Sequence, residues 1–440
     1  MSQTKIVVID DDPTGSQTVH SCLLLTRWDE KTLQRALLDS SPLFFVLSNS
    51  RGMGAGQAAD VTREICCNLR KAVDVLNTEK QQINLILVSR SDSTLRGHYP
   101  VETDIIEEEM GPFDAHFLTP AFFEGGRITR DNVHYLKIND EFVPVHKTEF
   151  ANDSVFSFTH SYLPDYVEEK TNGRIKANEV QRFTLKDVRG VIHSRLSALE
   201  NNTCCVVDAE CQQDMDNFAK QLRDVAGQGK RFLFRSAASL LTSLAELPPQ
   251  AIAAESMAEY VRNAKPGAVI VGSHVKKTTT QLNELLKVPG AIPVEVDVSR
   301  IESARQDLLH MICDRVDAVH NVGNTPVIFT SRVELVFPDQ KSRLAFGELV
   351  SDFLMDVVRG LPKDIGFLIS KGGITSNDVL SSGLALQTSR VVGQILAGCS
   401  VVCCPSDHPR YPDLPVVIFP GNVGDEFALA TVYTRLSGRK

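Results

Sequence analysis

Three consecutive carboxylates, Asp10, Asp11 and Asp12, directly follow the β-branched run Ile6-Val7-Val8-Ile9 and directly precede Pro13-Thr14-Gly15. Four apolar β-branched residues in a row suit a strand covered on both faces, as in the parallel sheet of an α/β protein. Such sheets hold their ligands beyond the carboxyl ends of their strands. The acids stand at that end. Along an extended chain Asp10 and Asp12 share one face and Asp11 points to the other, so the three are not expected to do one job. Asp12-Pro13-Thr14-Gly15 also has the make-up of a turn, with Asp first, Pro presetting φ and Gly tolerating a positive φ.

A second kind of chemistry is written into the other half of the chain, where three apolar strand-like runs, 268–271, 367–369 and 416–419, lead into glycine-containing loops. These loops are 272–280, 370–378 and 420–426, and a helix is expected after each, the first over 281–286. Glycines let backbone N–H groups approach a phosphate closely, and a following helix presents unpaired N–H groups and its positive dipole end, so each loop is a candidate anion site. None is a Walker A sequence, because 272–278 lacks the second glycine before Lys-Thr and is too short. Gly52, Gly54 and Gly56 follow a strand and open a helix, but their G-x-G-x-G spacing is not the dinucleotide fingerprint.

These residues need elements to place them. The first part alternates strands over 21–26, 43–47, 84–88 and 115–118 with helices over 29–38 and 57–76, which is βαβ logic. Aromatic and polar residues alternate without long periodicity over 132–186, an excursion packed on the first domain. Strands over 204–208 and 231–234 then resume the pattern before Leu247-Pro248-Pro249-Gln250. A chain of 440 residues exceeds the size at which one core stops growing. The expected fold is therefore α/β in two domains, 1–246 and 247–440, each built on a mostly parallel sheet flanked by helices.

Composition narrows the partners. With 42% hydrophobic and 23% charged residues and a formal charge of −9, the chain reads as a soluble globular protein, and neither nucleic acid nor an anionic membrane is expected as its main partner. No apolar run reaches the length of a membrane span, and no secretory signal is expected. The ten cysteines include three adjacent pairs but no Cys-x-x-Cys or zinc-type spacing, and the eleven histidines form no His-Glu-x-x-His. Reduced thiols, a cytoplasmic location and no structural metal are the expectations. The sequence also permits a homodimer.

A longer pattern runs through the chain. Asp11-Asp12-Pro13-Thr14-Gly15, Asn49-Ser50-Arg51, Asp92-Ser93-Thr94-Leu95-Arg96-Gly97, Pro120-Ala121 with Gly126-Arg127, Gly272-Ser273, Gly372-Gly373-Ile374-Thr375 and Pro420-Gly421-Asn422-Val423-Gly424 appear in this order. The series resembles that of the four-carbon acid sugar kinases. The resemblance implies a two-domain kinase using ATP and Mg²⁺ on a short sugar acid such as threonate, erythronate or 3-oxotetronate. The N-terminal domain would hold the sugar acid and the C-terminal domain the nucleotide.

Under that resemblance, Asp11, Arg51, Asp92, Ser93, Thr94, Leu95 and Arg96 would contact the sugar acid. Arg51 and Arg96 suit its carboxylate, since a guanidinium pairs with a carboxylate in two-point geometry. Asp11 or Asp12 would orient or deprotonate the attacking hydroxyl, and the remaining carboxylates would orient neighbours or hold the metal. Ser273, Gly372, Gly373, Ile374, Thr375, Gly421 and Gly424 would lie near the nucleotide, while Lys371 is either a phosphate ligand or an ordinary exposed loop lysine. The chain departs from the family at Arg90, where lysine is frequent, and at Asp10 and Pro13, where Ala-Asp-Asp-Leu-Thr-Gly is frequent. These departures leave the choice of sugar acid open. Two other functions are compatible with the residues: a non-catalytic ligand-binding or effector protein of the same fold, and a nicotinamide-dependent oxidoreductase resting on Gly52–Gly56 alone.

Overall fold

Strand β1, Gln3–Asp10, is formed by the β-branched run, whose members Ile6, Val7, Val8 and Ile9 are at most 3% exposed. In the computed structural model, residues 3–438 are described apart from 80, 274, 333, 334 and 336. His274, in the first glycine loop, thus lies outside the described residues. Two compact units divide the chain between Pro248 and Pro249.

In the first unit the strands after β1 are β2 (Cys22–Leu25), β3 (Leu43–Leu47), β4 (Ile83–Arg90), β5 (Ala115–Thr119), β6 (Arg127–Arg130), β7 (Val133–Ile138), β8 (Glu141–Pro144), β9 (Gln181–Phe183), β10 (Thr203–Val207) and β11 (Phe232–Ser236). The main sheet runs β2-β3-β1-β4-β11-β5-β10-β9, with every pairing parallel. Helices Glu30–Leu38, Ala55–Thr78 and Val101–Met110 bury Leu33, Ala36, Ile65, Leu69 and Ile106 against Val7 and Ile9. The apolar β1 run is explained by this cover.

The excursion is more ordered than its composition suggests. Strands β6, β7 and β8 pair antiparallel as a separate small sheet, and helix Leu163–Lys170 follows. Leu136, Val145, Leu163, Tyr166 and Val167 from this region pack with Leu95 and Tyr99. The excursion therefore clamps the loop that carries Asp92–Arg96.

In the second unit the strands are β12 (Ala268–Val271), β13 (Ala291–Val296), β14 (Thr325–Thr330), β15 (Leu368–Lys371), β16 (Thr388–Leu396), β17 (Cys399–Cys403) and β18 (Pro415–Phe419). Their order is β13-β14-β12-β15-β18-β17-β16, parallel through β18 and antiparallel in the last two pairings. The expected α/β class with mostly parallel sheets and flanking helices is what the chain adopts. Two local expectations are corrected. The helix after β12 begins at Lys276 rather than at residue 281, so Thr278 lies on it. Lys371 is neither exposed nor in a loop: it ends β15 and is fully buried. No described helix is long and apolar enough to cross a membrane.

Candidate functional site

In the first unit the site begins where β1 stops. Strand pairing ends at Asp10, and beyond it the alternation expected from an extended chain is lost. Asp11 and Asp12 both turn to Arg51, whose Nε donates to Asp11 Oδ2 at 3.2 Å, whose Nη2 donates to Asp11 Oδ1, and whose Nη1 lies 3.3 Å from Asp12 Oδ2. Asp12 also caps the short 3₁₀ turn Pro13–Ser16, its Oδ1 accepting from the Thr14 N–H at 2.8 Å. It is thus both a turn residue and a member of the charged cluster. Although burial opposes the charge, Arg51 and the Thr14 hydrogen bonds hold its carboxyl below the usual range.

Arg51 is itself fixed by a ring of buried groups. Asp11 accepts from Ser91 Oγ at 3.0 Å, and Ser91 Oγ receives Arg235 Nη2 at 2.7 Å. Arg235 Nη1 reaches Glu102 and, at 2.6 Å, Ser89 Oγ, while Ser50, the neighbour of Arg51, donates to Glu102. Arg235 and Glu102 were not among the expected site residues. The available signal was a cation directly after the apolar run Phe232–Phe234, still within β11. Gly97, at φ +121°, passes so close that a Cβ would stand 2.4 Å from Ser91 Oγ and 2.7 Å from Arg235 Nη2. Only glycine fits there.

The Asp92–Arg96 loop lies next to this ring. Asp92 Oδ2 accepts from Thr94 Oγ1 and, at 2.9 Å, from Arg96 Nε; Arg96 Nη1 stands 3.5 Å from Asp153, and its guanidinium carbon 4.9 Å from the Phe150 ring centroid. Burial opposes the charge on Asp92, but Arg51 and Arg96 hold it well below the usual carboxylate range. Ser93 and Thr94 are buried, the Ser93 carbonyl accepting from His134 Nε2 at 2.7 Å. Burial pushes His134 down to about 4, so it is neutral at pH 7. Leu95 adopts φ +67° and its carbonyl accepts from the Tyr166 hydroxyl at 2.8 Å, so it shapes the loop through its backbone. Ser91, Asp92, Leu95, Arg96, Pro120 and Arg235 are among the residues lining a small cavity.

Asp10 is different from its neighbours. It is fully buried, its Oδ2 has no hydrogen-bond partner among the described residues, and its nearest cation there is Arg90, with Nη1 3.8 Å from Oδ1. Burial, opposed by Arg90 and reinforced by Asp11 and Asp12, raises its pKa to about 8. Gly15 closes over it, and a Cβ there would come within 1.8 Å of Oδ2.

In the second unit β12, β15 and β18 are neighbours in the sheet, so the three glycine loops emerge side by side at their carboxyl ends. Ser273, Gly372 and Thr375 come together: a Cβ on Gly372 would lie 3.2 Å from Thr375 Oγ1 and 3.4 Å from Ser273 Cβ, and one on Gly272 would lie 2.3 Å from Thr375 Oγ1. Gly373 opens the short helix Gly373–Asp378, while Ile374 is 75% exposed. In the third loop Gly421 has open space where a side chain would be, whereas Gly424, at φ +78°, is pressed against Ala428. Lys371 ties this loop to β15, its Nζ donating to the Pro420 carbonyl at 2.6 Å and lying 4.1 Å from the centre of the Phe419 ring. Burial lowers Lys371 to about 7.

Gly52, Gly54 and Gly56 offer no comparable crowding, since a Cβ at any of them would meet nothing within 4 Å. Gly54 simply caps the helix Ala55–Thr78. Among the described residues no group of three or more His, Cys, Asp or Glu side chains is arranged to hold a metal ion.

Residues 6–244 match the family described as "Sugar-binding N-terminal domain", and residues 268–429 match "Nucleotide-binding C-terminal domain". A D-threonate kinase of Bordetella bronchiseptica is 29% identical over 36% of this chain and 38% of its own length. A D-erythronate kinase of Heliobacterium modesticaldum is 25% identical over 49% of this chain and 47% of its own. The chain belongs to the four-carbon acid sugar kinase family. Each curated match spans less than half of the relative's length.

Solved structures carry the same fold. A Salmonella typhimurium LT2 protein provisionally named a tRNA synthase superposes with a TM-score of 0.70 at 18% identity, covering 98% of both chains. A Haemophilus influenzae protein gives 0.66 at 16%, covering 98% of this chain and 100% of its own. At these identities the likeness is one of fold alone. Within the acid sugar kinase family, the clustered acids and arginines of the first unit and the aligned glycine loops of the second are the features that bear on chemistry.

Proposed function

We propose that the protein transfers the terminal phosphoryl group of Mg-ATP to the terminal hydroxyl of a four-carbon sugar acid of the threonate, erythronate or 3-oxotetronate type. Residues 1–246 would hold the sugar acid and 247–440 the nucleotide, in the cytoplasm. The observation that carries this reading is the ring that holds Arg51 against Asp11 and Asp12 at the carboxyl end of β1, beside a cavity faced by Arg96. It presents both charge signs that a hydroxy acid requires. The matched kinases support the class of reaction.

In the reaction, the sugar-acid hydroxyl oxygen forms a bond to the γ-phosphorus as the bond to the β–γ bridging oxygen breaks and ADP leaves. Asp12, the more exposed of the two aspartates on Arg51, receives the hydroxyl hydrogen. Arg51 directs Nε and both terminal nitrogens at Asp11 and Asp12, so it acts by positioning Asp12 rather than by meeting the substrate carboxylate. Arg96, with its side chain 23% exposed, supplies that contact. Ser273, Gly372–Thr375 and Gly421 would line the phosphate path, with Gly424 shaping the last loop. Mg²⁺ bound with the nucleotide would supply charge neutralisation at the phosphoryl oxygens.

The test is ADP release from ATP with D-threonate, D-erythronate and 3-oxotetronate offered in turn. Saturable turnover with one of them is the expected result. Binding of acid and nucleotide without turnover would instead favour the non-catalytic protein of the same fold.

Arg96→Ala should raise the KM for the sugar acid about 10-fold or more while leaving kcat close to the parent value. A charge-assisted contact remote from the reacting hydroxyl contributes equally to ground and transition states. Steady-state kinetics at varied acid and fixed ATP measures this. A change in the ATP KM alone would remove Arg96 from the acid site.

A further inference from the structure

Strand β14 lies directly beside β12, so the residues that follow it emerge next to the Gly272–Ser273 turn. Arg332 is one of them. Its Nη1 donates to the Ser273 carbonyl at 2.6 Å, and its guanidinium carbon stands 5.7 Å from the centre of the Phe329 ring. Nε and Nη2 are buried and have no acceptor among the described residues. Burial works against the charge, and Glu295 supports it. A guanidinium does not lose its proton in proteins, and buried cationic donors without acceptors are costly and uncommon.

The two donors in question share one edge of the guanidinium, the edge that accepts two oxygens of one phosphate or carboxylate side by side. Nη1 anchors the opposite side to Ser273, the residue that meets Gly372 beneath Thr375. We infer that Arg332 binds the phosphate chain of the nucleotide, presenting Nε and Nη2 to phosphoryl oxygens carried over the Gly272–Ser273 and Gly372–Thr375 turns. The inference rests on the kinase reading above. It adds a planar two-donor cation to loops that already carry Lys276 and Lys277, the latter donating from Nζ to the Asn422 carbonyl at 3.0 Å, and it does so from a strand whose sequence has no glycine motif.

The test is calorimetric titration of the full-length protein, parent and Arg332→Met, with Mg-ATP, Mg-ADP and adenosine, together with Tm in the absence of nucleotide. Arg332→Met should weaken both nucleotides by about 10- to 100-fold, the range of a charge-assisted contact. Adenosine affinity should stay within about twofold, and Tm should hold or rise because a buried charge has been removed. Arg332→Lys keeps the charge but not the two-donor edge, so it should lose an intermediate amount. Parent-like Mg-ATP affinity in Arg332→Met overturns the inference while leaving the kinase reading intact, and so does an equal loss for adenosine and ATP. Should the Met variant fail to fold, the Lys variant decides, with parent-like Mg-ATP affinity again overturning it. A parent protein that binds no Mg-ATP removes the kinase reading and the inference together.

Discussion

Exchanging Asp12 for asparagine should lower kcat by about 10²–10⁴-fold while ATP affinity and Tm stay close to the parent values. The two oxygens of Asp12 have separate tasks. Oδ1 accepts from the Thr14 N–H and caps the turn, and Oδ2 faces Arg51 at 3.3 Å. Asparagine keeps a carbonyl oxygen for the cap, so the turn survives. It cannot accept a proton, so the hydroxyl loses the group that orients it. Because Arg51 and Thr14 hold the Asp12 carboxyl below its ordinary range, against the effect of burial, it is ionised wherever the protein works. Its contribution is present above that range and lost only as the pH falls through it. No acid limb in kcat is expected from Asp12 above about pH 5. A carboxylate this acidic is a weak base, so orientation is its main service, the proton moving late in a loose transition state that asks little of a base. The lower end of the rate range is therefore the expected one. An Asp12→Asn enzyme with the parent rate would reduce Asp12 to a turn residue.

Replacing Asp10 with asparagine should alter stability instead, and only on one side of the pH scale. Its folded pKa is raised to about 8, chiefly by burial, whereas an unfolded aspartate titrates at about 3.9. Below pH 4 the carboxyl is protonated in both states and folding is not penalised. As pH rises, the unfolded chain releases the proton and the folded one keeps it, so stability falls by up to about 1.4 kcal/mol per pH unit. The loss levels off near pH 8, where the folded form ionises too. The total is roughly 3–6 kcal/mol, reduced by whatever relaxation and water entry the site permits. Asp10→Asn has no proton to lose, so it should match the parent near pH 4 and exceed it in denaturation midpoint at pH 8. Parallel pH–stability curves for the two proteins would show that Asp10 ionises normally.

Much of the sheet framework was legible because it is local. The apolar runs Leu43–Leu47 and Ala268–Val271 became strands with the expected bounds, and the β-branched run before Asp10 became a strand that begins earlier, at Gln3. Strands β6 to β8 were not anticipated: they are short, half exposed and lack a long alternating run. The β16–β17 hairpin was missed although Thr388–Leu396 alternates buried and partly buried positions along its length. For the site, the glycine loops were visible as motifs, but the ring through Ser91, Arg235 and Glu102 was not. Its members are brought together by tertiary packing, and no spacing along the chain encodes that. Lys371 was misjudged for the related reason that its amine is satisfied by the Pro420 and Gly421 carbonyl oxygens of a loop far away in sequence. Asp11 and Asp12 were expected on opposite faces, yet one arginine gathers both once strand geometry ends.

The position of β11 bears on how the first unit is made. It is the last strand of that unit in sequence, yet it lies between β4 and β5, and it carries Arg235. During synthesis β4 and β5 leave the ribosome long before their shared partner, at a translation pace of about 5–20 residues per second. On the order of ten seconds separates Thr119 from Phe232. Throughout that interval two strand edges in the middle of the nascent sheet have no neighbour, the condition under which edges pair with other chains. The Arg51–Asp11 cluster is likewise incomplete until Arg235 arrives, so a nascent chain halted short of Phe232 carries two open edges and a cluster of buried charges without its closing cation. Such a chain is a natural client for chaperones that shield exposed strands.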